Sequence, residues 1–277
     1  MSTDAIHNLK IAVSSAFLYR KSLEDNLRIA GKAGFEWTEF YLTGNLLDRK
    51  MEDLKSTIIS SGLKVCSIHL PIPFTYNKEW PSLEDSIAKA IVWADDLSTD
   101  WIISHPLLVM PDADDDLRAE VKRRYKKILK RTSQLDNHDK LLIENMPNLK
   151  PGRPIRNLFS YPDEFRETLE EYGYLMTYDP SHWSSFDSDI VGGYRQFEPL
   201  VRNVHISDSI NGIEHVVPGH GVLDLTSLLS ELKETSYRWQ VTLELDYTTR
   251  GRNDGRNEER IIEELRECRE WMEGILD

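Results

Sequence analysis

The chain has 277 residues, 40% of them hydrophobic and 29% charged, with a formal net charge of −13. That composition fits a globular protein with a full core, and the acidity argues against a protein that coats nucleic acid non-specifically, although a local basic patch stays compatible with it. No apolar run approaches the ~20 residues needed to span a bilayer, and Met1 to His7 lacks the basic-then-apolar layout of a signal peptide.

Eight strand candidates alternate with helical patterns. The first, Lys10–Ser14, precedes a helix expected from about Ser22 to Ala33. Trp37–Leu42 is followed by a helix over Met51–Ser61, closed by Gly62 as a C-cap. Leu63–Ile68 leads to His69, with a helix around Ser82–Leu97. Trp101–Ser104 leads to His105, and the long segment Asp114–Leu135 carries the helix behind it. Lys140–Ile143 leads to Glu144 and a helix near Pro162–Tyr172. Tyr174–Tyr178 leads to Asp179, with a short helix expected near Gln196–Leu200. Val201–Val204 leads to His205, and Leu225–Glu234 is helical. Trp239–Leu243 leads to Glu244, and an amphipathic helix from Asn257 to about Ile275 closes the chain.

Strict β/α alternation implies parallel strands with right-handed crossovers. Eight such units in one chain predict an α/β protein built as a single (β/α)8 TIM barrel over residues 1–277. An open doubly wound sheet would gather its ligands at one crevice, whereas here six strands contribute. In a barrel, side chains at the strand exits converge on one face. His69, His105, Glu144, Asp179, His205 and Glu244 all sit there, and convergent imidazoles and carboxylates make a metal site. A packing role would favour Val, Ile or Leu, because burying an unpaired charge is costly. Of the eight histidines, His182, His215 and His220 also fall at or just past strand ends, whereas His7 and His138 do not. Asp179 has a second possible role, capping the turn at Asp179-Pro180-Ser181. Glu144 and Glu244 follow apolar triplets, so burial in the barrel mouth is expected, where they need a cation.

Two basic loops, with Lys150, Arg153 and Arg156 after strand five and Arg250, Arg252 and Arg256 after strand eight, are either solvated charge or an anion clamp. The run Lys122-Arg-Arg-Tyr-Lys-Lys127 is expected to be the solvated face of an outer helix. Trp183 either walls the pocket or packs in the core. Cys66 and Cys268 lie far apart with no pairing signature, which fits a reducing cytoplasm.

The segments Ser67-Ile-His-Leu-Pro71, Ser104-His-Pro106, Ile143-Glu-Asn-Met146, Tyr178-Asp-Pro-Ser-His182, Val204-His-Ile-Ser-Asp208 and His215-Val-Val-Pro-Gly-His-Gly221 run in order along the chain. Together they resemble the xylose isomerase-like TIM-barrel superfamily, which holds sugar isomerases and epimerases, inositol-catabolism enzymes and the endonuclease IV enzymes. The resemblance to ketose 3-epimerases implies one divalent ion held by Glu144, Asp179, His205 and Glu244, with His182 contacting substrate. On that branch the ion, Zn, Mn or Mg, polarises a hydroxyl and carbonyl. Glu144 and Glu244, on opposite sides of the ring of strands, exchange a proton through an enediolate. The expected partner is a small-molecule sugar or sugar phosphate, with Trp183, His215, Arg153, Arg250 and Arg252 as candidate substrate contacts and a homo-oligomer possible. The resemblance to endonuclease IV implies a zinc-dependent phosphodiester hydrolase acting on DNA, with His69, His105 and His215 as added ligands. That pattern asks for an Asp-x-His pair after strand seven, where this chain has Ile213-Glu-His215.

Overall fold

A computed structural model of the chain describes residues 9–19, 21–42, 46, 49–71, 82–109, 113–147, 158–159, 161–247 and 257–277. The strands are β1 (Lys10–Ser14), β2 (Trp37–Tyr41), β3 (Lys64–His69), β4 (Trp101–Ser104), β5 (Leu141–Glu144), β6 (Leu175–Tyr178) and β7 (Val201–Ile206). A short antiparallel hairpin, β8 (Asp208–Ile210) and β9 (Ile213–Val216), follows before β10 (Gln240–Leu243). Eight of these close into a parallel barrel in the order β1-β10-β7-β6-β5-β4-β3-β2. The closing pair runs in register from Lys10 opposite Gln240 to Val13 opposite Leu243. The predicted (β/α)8 barrel is therefore the observed fold.

Helices α1 (Leu23–Lys32), α2 (Met51–Ser61), α3 (Leu83–Leu97), α4 (Asp115–Thr132), α5 (Pro162–Tyr172), α6 (Pro180–Trp183), α7 (Ile190–Phe197), α8 (Leu225–Glu234) and α9 (Glu258–Leu276) lie in the connections. Local chemistry sets their ends. Ser22, Ser82, Asp114, Asp224 and Asn257 each accept a backbone N–H three residues on, satisfying a donor that the first helical turn leaves free. Gly62 and Gly173 end α2 and α5 with φ of 75° and 73°. The basic run on α4 pairs outward with α5, Lys122 with Glu164 and Lys126 with Glu171, while Tyr125 is buried.

The helix expected over Gln196–Leu200 begins instead at Ile190, and Glu198–Leu200 is a single 3-10 turn. Its start is marked by Asp189, whose carboxylate accepts the Gly192 N–H at 2.8 Å. The Gly192-Gly193 pair hides the helical pattern, yet it is what packing requires. A Cβ on Gly193 would sit 2.4 Å from the Trp183 ring and 2.5 Å from the Tyr178 hydroxyl.

The two faces of the strands differ sharply. Val13, Phe40, Ile68, Ile102, Val204 and Val241 join the continuous apolar cluster shared with the helices. Alternate positions point inward, as Asn203 shows by reaching Glu39 across the barrel, two strands being interposed between their own. Buried inside are Glu39, Ser67, Asn203, Gln240 and Thr242, a polar layer where such barrels usually stack branched apolar side chains.

Strand chemistry does not predict the β8–β9 hairpin. Buried Asp208 organises the turn that follows: its Oδ1 accepts the N–H groups of Ser209 and Leu223 at 2.8 and 3.0 Å, and its Oδ2 those of Gly219 and Gly221 at 3.0 and 2.8 Å. A Cβ on Gly221 would meet Asp208 Oδ1 at 2.1 Å, so the close approach needs glycine. Asp208→Ala is expected to cost about 3 kcal/mol of unfolding free energy, because four amide donors lose their acceptor. Urea denaturation of the variant measures this, and an unchanged midpoint and slope would rule out the role.

Candidate metal centre

Glu144 ends β5, Asp179 follows β6, His205 lies in β7 and Glu244 follows β10, so all four side chains meet at the C-terminal mouth of the barrel. Each is buried, and one ligand atom from each lies within 4.8 Å of the others. His205 Nδ1 is 2.8 Å from Glu244 Oε2, 3.3 Å from Glu144 Oε1 and 4.0 Å from Asp179 Oδ2. These same four atoms are buried without a hydrogen-bond partner. Orphaned acceptors turned toward one another destabilise a fold unless a cation lies among them. A donor set of three carboxylates and one imidazole suits a divalent ion, so the residues present fit such a group. β5 and β10 stand three strands apart around the ring, nearly but not fully opposite, and their carboxylates flank His205.

The second oxygen of Glu144 faces a different pair. His69 Nε2 lies 3.2 Å and His105 Nε2 2.9 Å from Glu144 Oε2. His69 Nδ1 donates to the Leu70 carbonyl at 2.8 Å, which places the lone pair of a neutral ring on Nε2. A lone pair facing a carboxylate oxygen calls for a proton or a cation between them. Glu144 thus stands between two candidate cation positions, one per oxygen.

Asp179, His182 and His215 form a further group. Asp179 does both things its position allows. Its Oδ1 accepts the N–H groups of Ser181 and His182 at 2.6 and 3.0 Å, capping α6, while Oδ2 faces the cluster. The Asn145 amide pairs reciprocally with the Asp179 backbone at 2.9 and 2.8 Å, tying the end of β5 to that of β6. His182 Nδ1 donates to the Asn145 carbonyl at 2.8 Å, and its ring meets His215 edge-on at 5.3 Å. His215 has a φ of 58°, a region where His is enriched among non-glycine residues, and its carbonyl accepts the Asp246 N–H at 3.1 Å. Ile213 pairs with Ile210 across the hairpin. Glu214, one position on from Ile213, acts on His182 through its charge.

Burial opposes charging every one of these groups, yet the neighbours win at most of them. Glu244, Glu39 and Glu144 raise the pKa of His205 well above the usual histidine range, and Asp179 with Glu144 does the same for His182. His69 is also raised, against its burial, by Glu144 and Glu39. At His105 burial prevails and its pKa is lowered. Glu144 and Glu244 resist their own desolvation because His105 and His205, and His205 and His215, hold their pKa values down. Glu144 and Glu244 are thus held in their ionised form and draw in positive charge.

Other sequence candidates are placed differently. Trp183 is buried among Tyr178, Phe186 and Phe197, its indole donating to the Asp189 carbonyl at 3.2 Å. His220 is exposed on the turn that Asp208 holds. Lys150, Arg153, Arg156, Arg250, Arg252 and Arg256 lie outside the described residues. Two features escape strand-end chemistry. Tyr41 stacks near His69 with ring centroids 4.9 Å apart, and the partly exposed Tyr19 packs edge-on against Tyr41 at 5.7 Å, giving the mouth an aromatic wall. Glu39, in the middle of β2, lies 3.2 Å from His205 Nε2. Its sequence signal was a lone charge inside an otherwise uncharged strand, Trp-Thr-Glu-Phe-Tyr.

Comparison with known proteins agrees with the barrel fold. The family described as xylose isomerase-like TIM barrel matches residues 27–273. An uncharacterized protein of Methanocaldococcus jannaschii is 21% identical over 97% of this chain and 100% of its own length. Among solved structures, a D-psicose 3-epimerase from Clostridium cellulolyticum H10 superposes with a TM-score of 0.75 at 13% identity, covering 97% of this chain and 99% of that one. An AP endonuclease, family 2, from Brucella melitensis gives 0.70 at 15% identity, covering 90% and 95%. At these identities the structural likeness shows the fold, while the family match spans nearly the whole chain. The protein belongs to the xylose isomerase-like TIM-barrel family.

Proposed function

We propose that this protein is a divalent-metal-dependent isomerase or epimerase of a sugar or sugar phosphate, working by proton transfer at a carbon beside a carbonyl. The observation that carries it is the pair of buried carboxylates, Glu144 and Glu244, flanking His205 Nδ1 at 3.3 and 2.8 Å. Sugar 3-epimerases are also prominent among the structurally similar proteins.

Glu144, Asp179, His205 and Glu244 would hold the ion, Zn, Mn or Mg. When bound, it supplies Lewis-acid polarisation of a hydroxy-carbonyl group. Glu244 removes a proton from the substrate carbon on one side of the site, and Glu144, once it has taken up a proton from solvent or a substrate hydroxyl, delivers it to the other side. His182, its Nδ1 committed to the Asn145 carbonyl, offers Nε2 to a substrate hydroxyl beside His215. Trp183, a sequence candidate for the pocket wall, packs instead against Tyr178 and Phe197. Tyr19 and Tyr41 present a ring face to an apolar edge of the substrate. Arg153, Arg250 and Arg252 are the candidates to hold a phosphate. The two cysteines are buried and free, and no helix among the described residues is long and apolar enough to cross a membrane; a reducing cytoplasm is the setting we favour.

A second chemistry has one specific observation in its favour. Glu144 Oε2 lies between His69 and His105, as a carboxylate shared by two ions would. That geometry suits zinc-dependent phosphodiester hydrolysis on DNA, and an AP endonuclease, family 2, is among the similar structures. Ile213 weighs against a complete third ion position.

Two experiments decide. Metal-loaded protein incubated with a panel of ketoses and ketose phosphates in deuterated water should incorporate solvent deuterium next to the carbonyl, and Glu244→Gln should slow this by about 10²–10⁴-fold. Two or more zinc ions per chain together with cleavage of an abasic-site duplex would establish the hydrolase instead. The second experiment concerns pH. His205 has a raised pKa, so below it the ring carries a second proton that an ion at Nδ1 must displace. Affinity for Mn²⁺ or Zn²⁺ should therefore weaken as pH falls, by about tenfold per pH unit for each proton released. Calorimetry in buffers of different ionisation enthalpy reads that release directly; affinity unchanged from pH 8 to 6, with no proton released, would contradict it.

A further inference from the structure

Glu39 occupies the layer of the barrel just below the metal-ligand cluster. Its carboxylate is fully buried, and its two oxygens are treated differently. Oε2 accepts from the Ser67 hydroxyl at 2.9 Å, the Asn203 amide at 3.1 Å and the Gln240 amide at 3.3 Å. Those donors are themselves held in place. The Gln240 amide also donates to Ser67 Oγ and Thr242 Oγ1 at 2.7 and 2.8 Å, and the Thr242 hydroxyl donates to Asn203 Oδ1 at 3.1 Å. Four strands, β2, β3, β7 and β10, therefore fix one carboxylate in one orientation. Oε1 is left with no hydrogen-bond partner, 3.2 Å from His205 Nε2, which has none either.

The opposite ring nitrogen, His205 Nδ1, is the atom that faces Glu144, Asp179 and Glu244. A neutral imidazole carries one proton. If that proton sits on Nδ1, the nitrogen has no lone pair for an ion; if it sits on Nε2, Nδ1 is a ligand. We propose that Glu39 is a positioning residue: by accepting the Nε2 proton of His205 it selects the tautomer whose Nδ1 binds the ion, and so sets metal affinity. The inference deepens the proposed function, because it rests on the cluster of Glu144, Asp179, His205 and Glu244 holding an ion. It also accounts for a polar barrel layer. A carboxylate buried at this depth is tolerable only if donors satisfy its second oxygen, and Ser67, Asn203 and Gln240 do so. Support of this kind is commonly worth 10–100-fold in metal affinity.

Glu39→Gln keeps the size of the side chain and an acceptor oxygen for the network. Competition against a chromophoric chelator should show the full-length variant binding Zn²⁺ or Mn²⁺ about 10–100-fold more weakly than the wild type, with Glu39→Asp recovering part of the loss. The metal-free variant should melt close to the metal-free wild type, whereas a purely structural role would lower that melting temperature and leave the affinity of the folded fraction unchanged. Equal affinity overturns the role of Glu39 and leaves the metal-dependent function standing. A wild-type protein that binds no divalent ion overturns both. Should the variant fail to fold, nitrogen-15 spectra of histidine-labelled wild type loaded with Zn²⁺ provide the test. Protonated Nε2 and metal-shifted Nδ1 at His205 support the proposal, and a protonated Nδ1 or a metal-bound Nε2 overturns it.

Discussion

A carboxylate that leaves water must be given donors or positive charge in return, at a cost of several kcal/mol if it is not. Four such groups, Glu39, Glu144, Asp179 and Glu244, are buried together inside this barrel. Each resolves the requirement in its own way. Glu39 is satisfied at one oxygen by neutral donors from three strands. Asp179 spends one oxygen on the first turn of α6. Glu144 and Glu244 rely on imidazoles. The oxygen that each leaves unpartnered faces His205, Glu39 at Nε2 and the other three at Nδ1.

Placing so much polarity in the interior is possible because stability is carried elsewhere. The outward faces of the strands and the inward faces of the helices form one continuous apolar cluster. Side-chain caps and ion pairs between helices trim the outer ring without touching the mouth. The barrel can then spend its inner layers on orientation. Glu39, Ser67, Asn203 and Gln240 form a rigid base for His205, and Asn145 is a strut between the exits of β5 and β6. Local rules of packing are broken where the site is built, as is usual for functional positions.

Glu144 is the residue on which the two chemistries divide. With one oxygen toward His205 and the other toward His69 and His105, it is placed so that it would suit an acid–base role beside one ion or a bridge between two. The hairpin adds a separate element. By turning the chain back over the mouth, β8 and β9 bring His215 beside His182, and Asp208 locks the following turn through backbone donors alone. Here, too, a buried carboxylate dictates backbone shape.

Strand alternation and the residue types at strand exits were enough to predict the barrel and to bring His69, His105, Glu144, Asp179, His205 and Glu244 to one face, while the set Glu144, Asp179, His205 and Glu244 came from the resemblance to ketose 3-epimerases. Short apolar runs and a metal-ligand type at six of the exits are local signals, and parallel topology converts them into convergence. Helix α7 was displaced because its glycine pair reads as a loop, although close packing on Trp183 and Tyr178 demands it. Trp183 could have walled the pocket or filled the core; its neighbours put it in the core. Glu39 was overlooked because it lies in mid-strand, and its worth depends on His205, 166 positions away along the chain but 3.2 Å away in space. Sequence by itself determined which residue types arrive at the barrel mouth, since each is set by its own strand. Only the tertiary structure decided which oxygen or ring nitrogen faces which partner, because that orientation is imposed by hydrogen bonds between strands that are neighbours in space and not in sequence.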